Sequence, residues 1–255
     1  MLRIGCVKYL NARPLIHGWA GDVDFDHPAA LCRKLERRDL DVALVSSLEF
    51  LRRPIYRIVD QISISSRGQV YSVIVAHREE LTRTKEIKLD PASETSVALL
   101  RCLLTQRRLN PRLVRNVNCP SLRPTLFKEA QLLIGDQAIR FRQTHSDYRL
   151  WDLGEEWKNA MNLPFVFALW LIRPEIENAK EIADALRRLR NQNLEKLDDL
   201  ILTQSEVSPA FCRKYYREHL FFDFGEREKT GLREFHRHCL LNKIDVAPEL
   251  RLNLV

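Results

Sequence analysis

Five segments of the chain set small polar or charged side chains where an apolar run gives way to a helical pattern. In Val7-Lys8-Tyr9-Leu10-Asn11-Ala12-Arg13-Pro14-Leu15, a strand-like run enters a short polar loop and Pro14 opens a helix. Asn11 offers a donor and an acceptor together, and Arg13 carries the fork that clamps a carboxylate. The plain structural roles are that Asn11 caps the loop and Arg13 stands in solvent. In Val45-Ser46-Ser47-Leu48-Glu49, Ser46 meets either a ligand or its own helix, because Ser46 with Glu49 makes a capping box. Ile64-Ser65-Ser66-Arg67-Gly68-Gln69-Val70-Tyr71-Ser72-Val73 reads as a hinge or a ligand-facing edge, where Gly68 permits close backbone approach. Arg67 there is an anion contact or an exposed turn residue.

The fourth segment, Leu89-Asp90-Pro91-Ala92-Ser93-Glu94-Thr95-Ser96-Val97, takes a strand into a helix whose first turn is rich in hydroxyls. Backbone amides with Ser93, Thr95 or Ser96 hold a carboxylate without a full positive charge. Ordinary capping explains one of these residues more readily than all three. In the fifth, Leu132-Leu133-Ile134-Gly135-Asp136-Gln137-Ala138, Asp136 hydrogen-bonds a substrate hydroxyl or caps the next helix, the cap being its main task.

Several signatures are missing: no phosphate-binding Walker loop, no GxGxxG, no GxSxG and no HExxH. The six cysteines form no CxxC pair and have no histidines beside them at zinc spacing, so no metal site is expected. They read as thiols, several packed as small hydrophobes. The net charge of +7 is spread among acidic residues; its densest cluster, Arg187-Arg188-Leu189-Arg190, lies in an amphipathic pattern and reads as a solvated helix face. No nucleic-acid motif accompanies it, so no nucleic-acid partner is expected, and the excess charge weakly favours an anionic ligand. No apolar run approaches the roughly 20 residues that cross a bilayer, and no signal peptide is read at the N-terminus. A cytoplasmic protein without membrane contact is the expectation.

The elements that must position these segments alternate between short apolar runs and longer amphipathic stretches, which argues for an α/β architecture. Strands are expected at Leu2–Val7, Val23–Phe25, Val42–Val45, Ser72–Ala76, Glu86–Leu89, Arg115–Val117 and Gln131–Ile134. Helices are expected at Pro14–Trp19, Pro28–Arg37, Ser46–Arg52, Ser93–Arg108, Arg123–Lys128 and Asp136–Phe141. Pro164 to Ile172 reads as a long buried strand ended by Arg173-Pro174, and beyond it only helices follow, at Glu177–Leu202, Ser208–His219 and Gly225–Asn242. This order implies one lobe from residues 1–72 and 170–255 and an inserted second lobe from 73–169, with a ligand in the cleft between them.

Taken in register, Tyr9-Leu10-Asn11-Ala12-Arg13-Pro14-Leu15, Asp41 to Glu49, Ser65-Ser66-Arg67-Gly68-Gln69-Val70, Thr95 to Leu100, Leu133-Ile134-Gly135-Asp136 and Leu163 to Trp170 resemble the menaquinone-biosynthesis enzymes of periplasmic-binding-protein-like fold, and among them the chorismate dehydratase branch. The motifs occur in the family's order over most of residues 1–175. The sister branch typically has a Ser-Pro-Cys-Pro-Asn-Asp-Thr type of first loop, unlike the loop here. Gln69 stands where Pro is usual and Tyr71 where Arg is common.

The resemblance implies a two-lobed, type II clamshell acting on chorismate, a dicarboxylate, without cofactor or metal. Loss of the C3 hydrogen and the C4 hydroxyl would leave 3-[(1-carboxyvinyl)oxy]benzoate. No segment supplies an obvious base, so the enolpyruvyl carboxylate of the substrate is expected to remove the proton while Asn11 orients it. Arg13, Ser46, Ser66, Ser93, Thr95, Ser96 and Asp136, with amides near Gly68 and Gly135, complete the expected site. The competing expectation is a non-catalytic binding protein for a small carboxylate; a homodimer through the last helices is also allowed.

Overall fold

In the computed structural model, residues 2–90, 93–115, 130–205 and 207–255 are described. The expected helix Arg123–Lys128, most of the expected strand Arg115–Val117, and Cys119 lie outside them.

Two five-stranded sheets carry the structure. The first collects β1 (Ile4–Cys6), β2 (Val23–Phe25), β3 (Val42–Ser46), β4 (Arg57–Ser66) and, from much later in the chain, β10 (Phe165–Ile172), in the order β2-β1-β3-β10-β4. Helices α1 (Arg13–Ile16), α2 (Pro28–Glu36) and α3 (Ser47–Arg52) connect its early strands. The second sheet holds β5 (Val73–His77), β6 (Glu86–Leu89), β7 (Arg112–Arg115), β8 (Ala130–Ile134) and β9 (Arg149–Asp152), in the order β7-β6-β8-β5-β9. Its helices are α4 (Glu94–Gln106), α5 (Gly135–Thr144) and α6 (Leu153–Met161). After β10 come α7 (Ala179–Glu195), α8 (Leu197–Leu202), α9 (Pro209–Lys214), a π-helical turn at Tyr215–His219, and α10 (Glu226–Leu241).

β10 is the spine of the first sheet, antiparallel to β3 on one side and β4 on the other. Its run Phe165-Val166-Phe167-Ala168-Leu169-Trp170-Leu171-Ile172 is apolar on both faces because both are covered, and all but Ala168 are buried. Each large side chain so buried contributes about 1.5–3 kcal/mol. Pairing with β3 and β4 runs through Phe165–Leu169, so these residues belong with the first sheet. The return to that sheet comes before Phe165 rather than at residue 170 as the sequence reading placed it.

Four further features depart from the sequence reading. β4 is a strand where none is expected, and its end at Ile64–Ser66 falls in the segment that reads as a hinge or a ligand-facing edge; Asp60, Gln61, Ser63, Ser65 and Ser66 break its apolar pattern. Ser63 and Ser65 donate to the carbonyls of Asp223 and Phe221, so the C-terminal chain satisfies hydroxyls that look out of place in a buried strand. β9 and α6 were not foreseen; Asp152 caps α6 by accepting from Gly154 N and Glu155 N, each at 3.1 Å. The single expected helix 177–202 divides at Lys196, whose φ of −102° and ψ of 32° leave the helical region. Finally, the cluster around Arg187 and Arg190 is no solvated face. Arg190 is buried and donates to the carbonyls of Gln61 and Phe222, while Arg187 holds the carbonyls of Asp60 and Val255.

The chain passes between sheets at residues 67–72 and 162–164, and Asp152 ties the first passage to the second sheet. Its carboxylate accepts from Val70 N at 3.0 Å and Tyr71 N at 2.8 Å in addition to the α6 amides. Tyr71 takes the left-handed φ of 69°, with the Arg142 guanidinium 4.1 Å above its ring. At the second passage Gly231 of α10 lies against Pro164 so closely that a Cβ would sit 2.1 Å from the Pro164 carbonyl oxygen. Gly231→Ala must therefore push α10 off the start of β10. A loss of about 1–3 kcal/mol or more is expected in chemical denaturation, and an unchanged midpoint would contradict this packing.

Candidate functional site

Between the sheets lies a cleft with about 620 Å³ of empty space, part of it open solvent. Apolar walls come from strand ends and the interlobe passage, among them Val7, Leu44, Ile64, Val70 and Phe167. The polar lining is Asn11, Ser46, Ser72, Ser93, Thr95 and Ser96, with Tyr9 and Gly135. Among the described residues, no lining side chain is a carboxylate, histidine, lysine, arginine or thiol. Tyr9 is the one phenol there, and burial, reinforced by the charges of Asp90 and Asp136, pushes its pKa well up, so it stays neutral.

The charge preference of the cavity comes from backbone instead. α3, α4 and α5 all begin at its wall, with Ser46, Ser93 to Ser96 and Gly135 at their starts. Each contributes the partial positive charge of a helix N-terminus, most strongly the longer α4 and α5, although the Leu48 amide of α3 and the Gly135 amide of α5 are already taken by Thr95 Oγ1 and Ser72 O. Hydroxyls at α4 add donors that rotate to suit the ligand. Such a lining is suited to anionic oxygens, and among the described residues it supplies no carboxylate, histidine, lysine, arginine or thiol.

Asn11 sits in the one-turn 3₁₀ segment Leu10–Ala12, and the backbone beside it is pinned from two directions. Leu10 N donates to Asp136 Oδ1 at 2.9 Å, and Leu10 O accepts from the Tyr216 hydroxyl at 2.8 Å. Asn11 Oδ1 is itself buried without a hydrogen-bond partner among the described residues. A buried acceptor left unpaired costs about 1–3 kcal/mol, which is explicable where a ligand completes it. Gly135 has φ +56°, and a Cβ would lie 3.1 Å from the Tyr9 ring, so a glycine is needed where the second sheet meets this loop.

Six of the residues expected from the sequence come together here: Asn11, Ser46, Ser93, Thr95, Ser96 and Gly135. Ser46 stands at the N-cap of α3 but makes no capping hydrogen bond; its hydroxyl meets Thr95 Oγ1 across the cleft instead. Ser93 likewise leaves its own helix uncapped. The Gly135 amide is engaged with Ser72 O at 2.8 Å, so it is a structural link rather than a free donor. The other four stand apart from the lining. Arg13 turns to Thr203 Oγ1 at 2.7 Å, and Asp136 holds Leu10 N rather than capping α5. Ser66 and Gly68 pack at the interlobe passage, against the place where Gly154 admits no Cβ. Arg67 is absent from the cavity lining and is no free turn residue: it pairs with the buried Glu228 at 3.0 Å. Sequence reasoning missed Tyr9 and Ser72. Ser72 lies in the segment Ile64–Val73 that reads as a hinge or a ligand-facing edge and begins the expected strand Ser72–Ala76, but its own pattern does not single it out from the other serines there.

Residues 2–240 match the family profile described as menaquinone biosynthesis. The chain belongs to the menaquinone-biosynthesis family. Within reach of that family, it is 29% identical over 257 aligned positions to the chorismate dehydratase of Thermus thermophilus, covering 91% of this chain and 93% of that one. A crystal structure of an Archaeoglobus fulgidus protein superposes with a TM-score of 0.73 at 15% identity, over 95% of this chain and 98% of the other. The alkanesulfonate-binding protein of Xanthomonas axonopodis pv. citri bound to MOPS follows at a TM-score of 0.69 and 13% identity, over 100% and 97%. These likenesses establish a periplasmic-binding-protein-like fold for this member of the menaquinone-biosynthesis family, as its motifs implied. No helix among the described residues is long and apolar enough to cross a membrane.

Thr95 is the seam of the cavity, because its Oγ1 meets Ser46 from the first sheet's side and accepts from Leu48 N at 3.1 Å. Thr95→Val keeps the shape and strands that buried amide. A loss of about 1–3 kcal/mol in unfolding free energy is expected; denaturation curves that superpose on wild type would show that the contact carries no weight.

Proposed function

We propose that this protein is a chorismate dehydratase acting in menaquinone biosynthesis, converting chorismate to 3-[(1-carboxyvinyl)oxy]benzoate and water. The observation that carries the reading is a cavity ringed by three helix N-termini and hydroxyls, yet lacking an ionisable side chain at neutral pH among the described residues. The likeness to the Thermus thermophilus chorismate dehydratase along nearly the whole chain supports the same substrate.

The reaction needs a base for the C3 hydrogen and an exit for the C4 hydroxyl. Conjugation with the ring carboxylate acidifies the C3–H bond and spreads the developing negative charge. With no side-chain base at hand, the enolpyruvyl carboxylate of the substrate takes the C3 proton. The C4–O bond then breaks, the departing hydroxide and that proton leave as water, and the ring becomes aromatic. The protein's task is to hold a dianion in this one geometry, away from bulk water. Ser93, Thr95, Ser96 and the α4 amides take carboxylate oxygens. The unpaired Asn11 Oδ1 accepts a hydrogen bond from the substrate hydroxyl, and its NH₂ steadies the neighbouring carboxylate. The apolar walls, Val7, Leu44 and Phe167 among them, sandwich the ring. We place the reaction in the cytoplasm, in keeping with the five free cysteines among the described residues.

A non-catalytic binding protein would hold chorismate and leave it unchanged. Purified protein mixed with chorismate, without added cofactor or metal and followed by chromatography and mass spectrometry, is expected to yield the product lighter by one water. Asn11→Ala is expected to lower kcat by about 10²–10³-fold. Because Tyr9 stays protonated and no other described lining group titrates near neutrality, kcat should be nearly flat from about pH 6 to pH 9. Bound but intact chorismate would sink the dehydratase reading. A kcat that rises or falls tenfold across that range would reveal an enzyme base.

A further inference from the structure

The proposed reaction leaves unused a fully buried tyrosine that reaches the cavity wall from behind. Tyr215 begins the π-helical turn Tyr215–His219, a wider, underwound turn that breaks the regular helix after α9. Such turns recur at functional sites. Its ring stacks on Phe211 with centroids 5.6 Å apart, so the side chain is held in place. Its hydroxyl donates to Ser72 Oγ at 2.7 Å. Ser72 is also buried, lines the cavity, and has its own carbonyl anchored by the Gly135 amide at 2.8 Å. Among the described residues, Tyr215 is the sole hydrogen-bond partner of the Ser72 hydroxyl.

A serine hydroxyl has one proton and two lone pairs. With one lone pair filled by Tyr215, and the backbone fixed by Gly135, the Ser72 proton is left to point away from the tyrosine, toward the cavity. We infer that Ser72 hydrogen-bonds a substrate oxygen and that Tyr215 is a positioning residue, fixing the direction of the Ser72 proton before substrate arrives. This rests on the dehydratase reading for its substrate. Burial raises the Tyr215 pKa well above its ordinary value, so the phenol remains a donor at every working pH. The next residue plays a parallel part for the opposite wall, since Tyr216 donates to Leu10 O beside Asn11. One turn of the C-terminal region thus braces both the amide and the hydroxyl of the site.

A merely structural tyrosine would weaken the protein whatever residue stood at position 72, whereas a positioning tyrosine acts only through Ser72. The test is a double-mutant cycle of Tyr215→Phe and Ser72→Ala, each checked for a cooperative melt, with turnover read by mass spectrometry over hours so that slow variants register. Tyr215→Phe alone is expected to lower kcat by about 10-fold with little change in KM, and Ser72→Ala by more. In the Ser72→Ala background, Tyr215→Phe should change kcat less than about 2-fold. Equal losses in both backgrounds would overturn the inference, as would near-normal turnover by either single variant. Wild-type turnover run alongside separates the two claims. An inactive wild type overturns the dehydratase reading and this inference together, while an active wild type with an unaffected Tyr215→Phe overturns only the inference.

Discussion

For the proposed reaction, the constraint on which the rest of this structure depends is a cavity that holds two carboxylates out of water without setting an ionised side chain among them. A lysine or arginine against the enolpyruvyl carboxylate would lower its basicity and spoil it as the base. Helix N-termini and hydroxyls stabilise the same charge through dipoles spread over many atoms. That choice dictates the architecture: helices must begin at one point, so strands from both sheets must end there. The two sheets, each with its helices starting at the cleft, meet that demand.

Convergence of this kind requires the lobes to be held at a definite distance, and the linking contacts are correspondingly specific. Asp152 gathers the passage Val70–Tyr71 and the start of α6 on one carboxylate. Asp136 and Tyr216 grip Leu10 from the second sheet and from the C-terminal region, leaving Asn11 between them. Thr95 closes the seam to Ser46 and Leu48. Asp136 looks like a candidate for ligand contact when seen alone; in the fold it holds the loop that carries Asn11 to the cavity wall.

Much of this was legible in the sequence. The strand-to-helix transitions around Asn11, Ser46, Ser93 and Gly135 carry clear local signals, and all of them reach the cavity. The long apolar run ending at Ile172 announced the spine of the first sheet. The rest was hidden because its cause is distant in the chain. β4 looks polar until the carbonyls of Phe221 and Asp223 arrive to take its serines. Arg190 looks like a surface residue until the carbonyls of Gln61 and Phe222 bury it. Asp136, Arg13 and Ser72 could not be sorted locally into support and lining, because each is defined by a partner more than sixty residues away: Leu10, Thr203 and Tyr215.

The claim at the centre of this account is that the substrate, not the protein, brings the base. It is tested most directly with chorismate in which the enolpyruvyl carboxylate is replaced by its primary amide, a group of similar shape that cannot take the proton. Binding is measured by calorimetry and turnover by mass spectrometry. The account predicts that the amide binds in the cleft, competes with chorismate and is not dehydrated. Dehydration of the amide within about tenfold of the chorismate rate would mean that a group of the protein removes the C3 proton, contradicting the account.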